Sequence, residues 1–150
     1  MRSAGILLYR RRDGTLEVLL AHPGGPFWAR RDDGAWTILK GLIDAGETPE
    51  AAARREFFEE LGAEAVGPLL PLGSVRQRGG KHVEAFALEG DFDVAALRSN
   101  TFETEWPPRS GLMKTYPEVD RAAWMDLATA RVKLLEAQRP LLDRLEATLR

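Results

Sequence analysis

The chain has 150 residues, 44% hydrophobic and 29% charged, with a formal net charge of −2 and no cysteine. That length supplies one domain's worth of core, burying roughly 70% of its unfolded surface without a disulfide or structural metal. The lack of cysteine excludes thiolate metal sites and cysteine nucleophiles and fits a reducing, cytoplasmic setting, while the small negative charge excludes a general basic field for a nucleic acid polymer.

The opening residues, MRSAGILLYRRR, hold a short apolar run before Arg10. A signal peptide needs a longer run and a membrane helix about 20 apolar residues, so neither a leader nor a membrane partner is expected. Residues 4–9 and 16–21 are apolar runs flanking Asp13-Gly14, a turn signal that predicts a hairpin of two mostly buried strands. Residues 22–28 are too rich in Pro and Gly for helix or central strand, and a short strand is expected over 36–40. From Thr48 to Leu61 the pattern is helical, with Thr48 as N-cap, Pro49 at the first helical position and Gly62 as the stop. Residues 69–78 and 81–88 read as two strands about Gly79-Gly80. Residues 90–119 read as irregular, broken by Pro107-Pro108, Gly111 and Pro117. A short strand at 122–125 and a helical tail from Leu127 to Leu149, broken at Pro140, complete the chain. The order predicts a single mixed α/β domain spanning residues 1–150.

The chemistry concentrates between Gly41 and Ala63. At about 100° per residue, Glu56, Glu59 and Glu60 share one helix face, with Phe57 and Leu61 on the adjoining face, aimed at a core. Like charges so placed repel by about a few tenths of a kcal/mol per pair. A hard divalent cation, Mg²⁺ or Mn²⁺, would cancel that repulsion. Taken alone, the same helix also reads as a solvated acidic face on which Arg55 pairs with Glu59. The wider spacing separates the two readings. Gly41, Glu47, Arg55, Glu56, Glu59, Glu60 and Gly62 fill every fixed position of the pattern G-x5-E-x7-R-E-U-x-E-E-x-G-U, where U is bulky and apolar. A chance match in such a chain is on the order of one in a million.

This stretch resembles the Nudix (MutT-like) hydrolases, with two departures: Leu39 stands where many members have Pro, and Ala63 is small for the last U position. The resemblance implies a Nudix-type α/β/α sandwich, a mixed sheet with the box helix and C-terminal helices packed on it. It implies Mg²⁺-dependent hydrolysis (Mn²⁺ is possible) of a P–O–P bond in a nucleoside diphosphate-linked substrate, with dinucleoside polyphosphates or nucleoside triphosphates ahead of ADP-ribose-type nucleotide sugars. Carried over by position, Glu59 and Glu60 are the principal metal ligands, joined by a backbone carbonyl at Lys40 or Gly41. Glu56 ligates or acts as base, and Glu47 pairs with Arg55 to hold the loop against the helix. A nucleotide-sensing domain without catalysis is the competing class, and the retained carboxylates oppose it. The expected partner is a small nucleotide; the oligomeric state is not legible.

Outside the box, Arg76, Arg78 and Lys81 crowd the Gly79-Gly80 turn and read either as a polyphosphate grip or as ordinary surface charge. Glu84, Glu103 and Glu105 are candidates for one further ligand or base, or plain surface carboxylates. Phe27, Trp28 and Trp106 read as base-stacking or simply packed aromatics, and His22 and His82 as structural or exposed groups.

Overall fold

A computed structural model describes residues 1–150. Strands β1 (Arg2–Arg12) and β2 (Thr15–Pro23) form the predicted hairpin and outrun its expected ends. Asp13 and Gly14 have φ of 52° and 80°, the left-handed pair that closes a two-residue turn between right-twisted strands. One edge of β1 is divided between two antiparallel partners, residues 3–6 with β3 (Leu39–Leu42) and residues 8–12 with β2. Helix α1 (Pro49–Leu61), β4 (Leu70–Gln77) and β5 (Lys81–Glu89) follow. The other edge of β1 pairs in parallel with β5. With β8 (Val119–Asp126), the main sheet has the order β4-β5-β1-β2-β8, and β3 lies beside β1.

Both faces of this mixed sheet are covered, so its central strands read as continuous apolar runs instead of clean alternation. Along β1, Ile6 and Leu8 turn toward α1 and pack with Ala52, Ala53, Phe57 and Leu61. Leu7 and Tyr9 turn the other way, toward α2 (Leu127–Lys133) and α3 (Pro140–Thr148), and meet Leu134, Leu141, Leu142 and Leu145. The expected α/β/α sandwich is thus present. No helix is long and apolar enough to cross a membrane.

The ends of α1 follow their local chemistry. The Thr48 hydroxyl accepts from the Ala51 N–H at 3.1 Å, and Pro49 occupies the first turn where no amide donor is needed. Gly62 sits at φ 81° and donates to the Phe58 carbonyl. The Leu61 and Glu59 carbonyls, left over at the helix end, accept from Arg98 N–H and Asn100 N–H.

Three expectations need correction. The stretch 90–119 is not wholly irregular: β6 (Thr101–Glu105) and β7 (Met113–Pro117) form a separate two-stranded hairpin, with Pro107, Pro108 and Gly111 confined to its loop. The strand expected over 36–40 is displaced to Leu39–Leu42, since Trp36 and Thr37 make only isolated bridges to Leu134 and Ala21. The tail breaks at Leu134-Leu135, before Pro140, because the Lys133 carbonyl and the Leu135 N–H bond to the backbone of Trp36. Pro140 then opens α3.

A buried amide locks this region. Gln138, fully buried in a single 3-10 turn, accepts from the Ile38 N–H at 3.0 Å and donates to the Gln77 side chain at 2.8 Å and the Thr37 hydroxyl at 2.9 Å. It fastens residues 37–38, just before β3, to β4. Gln138→Leu leaves the Ile38 N–H buried without a partner and should cost about 1–3 kcal/mol, read as a lower urea midpoint; an unchanged midpoint would contradict the assignment.

Candidate active site

The last two turns of α1 face β3 across a cleft of about 460 Å³ lined by Gly41, Glu56, Glu59, Glu60, Asn100 and Glu118, among others. Helical spacing separates the two roles of α1 as expected: Phe57 is 3% and Leu61 0% exposed, while the three glutamates open on the cleft. Gly41 is required for space. A Cβ there would stand 2.0–2.3 Å from the Glu56 carboxyl atoms.

The Arg55 guanidinium organises the cluster. It grips Glu47 with two bonds, from Nε to Oε2 at 2.8 Å and from Nη2 to Oε1 at 2.9 Å, and it donates to the Leu42 carbonyl at 2.9 Å. Nη1 donates to Glu56 at 2.8 Å and to Glu59 at 3.2 Å. Glu47 also accepts from the Asp44 N–H, so one carboxylate joins the loop to itself and to the helix. The arginine bonds and that amide hold the Glu47 carboxyl down at about 2, and the same contacts raise Arg55.

Glu60 lies deeper. Its Oε1 accepts from the Lys40 N–H at 3.0 Å. Burial first, then repulsion from Glu56 and Glu118, pushes its carboxyl from the usual 4.5 up to about 8 against the attraction of Lys40. Glu56 is raised mainly by burial, opposed by its bond to Arg55. Burial depresses Lys40, assisted by Lys81 and opposed by Glu60 and Glu56. Negative charge in the cleft is therefore under-compensated by the protein's own cations.

As placed, no three acidic or imidazole side chains enclose a common point. Glu56 and Glu59 turn oxygens to Arg55, and Glu60 turns one to backbone. The donor set nevertheless fits a hard divalent cation. Every group offered is oxygen, the carboxylates converge on one cleft, and their excess charge lacks a partner.

The other sequence candidates lie elsewhere. Arg76, Arg78 and Lys81 are exposed at the β4–β5 end, and none lines the cleft, although the field of Lys81 reaches Lys40. Glu84 borders a shallow hollow with Ser74 and His82 and pairs loosely with Arg2 at 3.7 Å. Glu103 is exposed on β6. Glu105 accepts from the Arg109 and Gly111 N–H groups and so holds its own loop. Phe27, Trp28 and Trp106 line a second cavity. His22 is fully buried between the Asp120 carboxylate and the Arg31 carbonyl, and His82 is exposed.

Sequence reasoning missed Glu118 and Asn100. Glu118 stands between Pro117 and Val119, where β7 passes into β8, and no periodicity marks it. Its backbone bonds to Asn100 and Gly24 carry it to the cleft.

Glu60 makes the pH dependence testable. Its folded value near 8 exceeds the unfolded value, so the native state holds the extra proton between the two. Stability is therefore lost as pH rises from about 4.5 through about 8. In the presence of chelator the urea midpoint should fall over that range, and Glu60→Gln should remove most of the slope. A slope unchanged in the variant would refute this electrostatic picture.

Comparison with known proteins follows the same lines. A family profile described as the NUDIX domain matches residues 1–145. The chain is 32% identical over 154 aligned residues to an RNA pyrophosphohydrolase of Rhodospirillum rubrum, covering 98% of this chain and 90% of that protein. It is 31% identical over 136 residues to an octanoyltransferase of Myxococcus xanthus, covering 89% of this chain but only 33% of that longer protein. Among solved structures, a binary complex of a C. elegans Ap4A hydrolase superposes with a TM-score of 0.69 at 23% identity, over 98% of this chain and 97% of that one.

Proposed function

The chain belongs to the NUDIX family, and from that premise we propose that residues 1–150 act as one Mg²⁺-dependent hydrolase domain. Its reaction is attack of water on a phosphoanhydride bond of a nucleoside diphosphate-linked substrate. The observation that carries this reading is the convergence of Glu56, Glu59 and Glu60, with Glu118 facing them, on one cleft whose negative charge is under-compensated.

Glu59 and Glu60 would be the principal ligands of the ion, with Glu56 and the backbone carbonyl at Lys40 or Gly41 completing its protein shell. Such an ion supplies Lewis-acid polarisation of phosphate oxygens and acidification of bound water. The protein's own groups do the rest. Arg55 and Glu47 set the loop and the helix at a fixed distance, which keeps the carboxylates convergent. Glu56 and Glu118 both face the cleft as proton acceptors; Glu56 spends an oxygen on Arg55, whereas the Glu118 side chain makes no hydrogen bond. Glu118 thus takes the place that Glu84, Glu103 and Glu105 were expected to compete for. Arg76, Arg78 and Lys81 enter this reading only for a polyphosphate long enough to leave the cleft.

Small nucleotides come first as substrates: dinucleoside polyphosphates or nucleoside triphosphates, then ADP-ribose-type nucleotide sugars. The similarity to an RNA pyrophosphohydrolase over nearly the whole chain supports RNA as a second reading. A net charge of −2 offers a polymer little general attraction and keeps the small-nucleotide reading ahead. A sensor that binds without turnover is disfavoured by the intact carboxylate set.

Purified protein with Mg²⁺ and a nucleotide panel tests the proposal. Glu59→Gln and Glu60→Gln should each lower activity by at least about 10²-fold with folding preserved, since each replaces an anionic oxygen by a neutral amide at the charge-stabilising site. Full activity in both variants, or turnover undiminished by chelation, would overturn it.

A further inference from the structure

Glu118 stands in the cleft against its own charge. Burial is the main cause that raises the Glu60 and Glu56 carboxyls, and the field of Glu118 adds to it in both. Those two groups repel Glu118 in return. Its side chain has no hydrogen-bond partner, so backbone bonds keep it among the other carboxylates.

The hold comes from residues 98–100, which are tied on two sides. On one side they join the end of α1. Arg98 N–H donates to the Leu61 carbonyl at 3.0 Å, and Asn100 N–H donates to the Glu59 carbonyl at 2.8 Å. Gly62 lets the segment come so near, since a Cβ there would stand 2.8 Å from the Arg98 Cβ and 2.9 Å from its carbonyl oxygen. On the other side they join the passage from β7 to β8. Glu118 N–H donates to the Asn100 carbonyl at 2.7 Å, and Val119 N–H donates to the Ser99 hydroxyl at 2.9 Å. That hydroxyl donates in turn to the Asn100 carbonyl at 2.8 Å.

In an extended strand successive N–H groups point to opposite sides. Here those of residues 118 and 119 meet the same segment, because the chain bends at Glu118. Ser99 supplies the side chain in this strap, and the position calls for a hydroxyl, which accepts and donates at once. Without it the N–H of Val119, a residue 3% exposed, loses its partner and the bend loses one of its two ties. The strap therefore makes one frame of Glu118 and the last turns of α1, which carry Glu59 and Glu60.

We propose that Ser99 is a positioning residue, whose hydroxyl fixes the bend that holds Glu118 across the cleft from Glu59 and Glu60. The proposal rests on the cleft being the Mg²⁺ and pyrophosphate site.

A double-mutant cycle between Ser99→Ala and Glu118→Gln tests it. One readout is hydrolysis of the best substrate of the nucleotide panel; the other is calorimetric titration of Mg²⁺ alone into metal-stripped protein. Ser99→Ala should lower kcat about tenfold with KM changed by less than about twofold, as a small misplacement of a reacting group does. It should weaken Mg²⁺ binding about threefold, because a unit charge moves away from the ion. On the Glu118→Gln background it should change neither quantity by more than about twofold, since the group it positions is already gone. Ser99→Thr, which keeps both bonds, should match the native protein. The urea midpoint should fall alike in both backgrounds, so a serine of purely structural role would give equal losses of kcat and Mg²⁺ affinity in both. Should Ser99→Ala not fold, Ser99→Cys, with its weaker acceptor, should show the same pattern at smaller amplitude.

Additive losses, or native kcat and Mg²⁺ affinity in Ser99→Ala, would overturn the proposal. A native protein that binds Mg²⁺ and hydrolyses no nucleotide would sink the catalytic reading, and the Mg²⁺ cycle would still decide on Ser99. Hydrolysis with additive losses would do the reverse, and a protein that binds no Mg²⁺ would sink both.

Discussion

The Arg55 guanidinium spends its donors on Glu47, Glu56, Glu59 and the Leu42 carbonyl, and the shape of the cleft follows from that fork. Carboxylates three and four residues apart on one helix face repel each other, and unpaired they would swing to solvent. A planar guanidinium can hold two of them on one side while gripping a third with parallel bonds on the other, which an ammonium cannot do. The loop 42–47 is thereby drawn against α1, and Gly41 is brought so near Glu56 that no side chain fits between. One guanidinium does not neutralise four acids, however. Glu60, beyond reach of the fork, is raised to about 8 by burial first and then by repulsion from Glu56 and Glu118.

The sheet supplies the frame for this arrangement. β1 pairs three ways, and its division between β3 and β2 opens the place where α1 packs and the cleft forms. The two cores on opposite faces are built from alternating residues of the same strands, so a register slip of one residue would exchange them. The carboxylate face is thus anchored from behind by Phe57 and Leu61 and from the side by the Gln138 network, which holds residues 37–38 against β4. Rigid support of this kind is what an oxygen cage for a divalent ion needs, since misplacement of one ligand weakens all the others.

Much of this was legible in the residues, for identifiable reasons. The box helix announces both ends, Thr48-Pro49 and Gly62, and its spacing fixes which carboxylates share a face. The β1–β2 hairpin shows because Asp13-Gly14 permits one turn and both strands are buried. Where local signals were ambiguous, tertiary contacts decided. Leu134 continues the apolar stripe of the tail, so periodicity could not reveal that backbone pairing with Trp36 ends the helix there. Strands β6 and β7 are largely solvent-facing and flank a proline-rich loop, and they carry no continuous apolar run. Arg76, Arg78 and Lys81 cluster in sequence, but the hairpin carries them outside the cleft lining. Glu118, by contrast, reaches the cleft only because Asn100 and Gly24 hold its backbone there, a long-range arrangement with no local signature.

The central claim is that the carboxylate cluster is a divalent-cation site incomplete in charge without the ion. An ion that binds only the folded state raises its stability in proportion to the logarithm of its concentration above the dissociation constant. The direct measurement is the thermal midpoint at about pH 8 as Mg²⁺ is titrated into chelator-treated protein, with the Glu59→Gln/Glu60→Gln double variant alongside. The account predicts a progressive rise for the native sequence and none for the variant. A native midpoint indifferent to Mg²⁺, or an equal rise in both proteins, would contradict it.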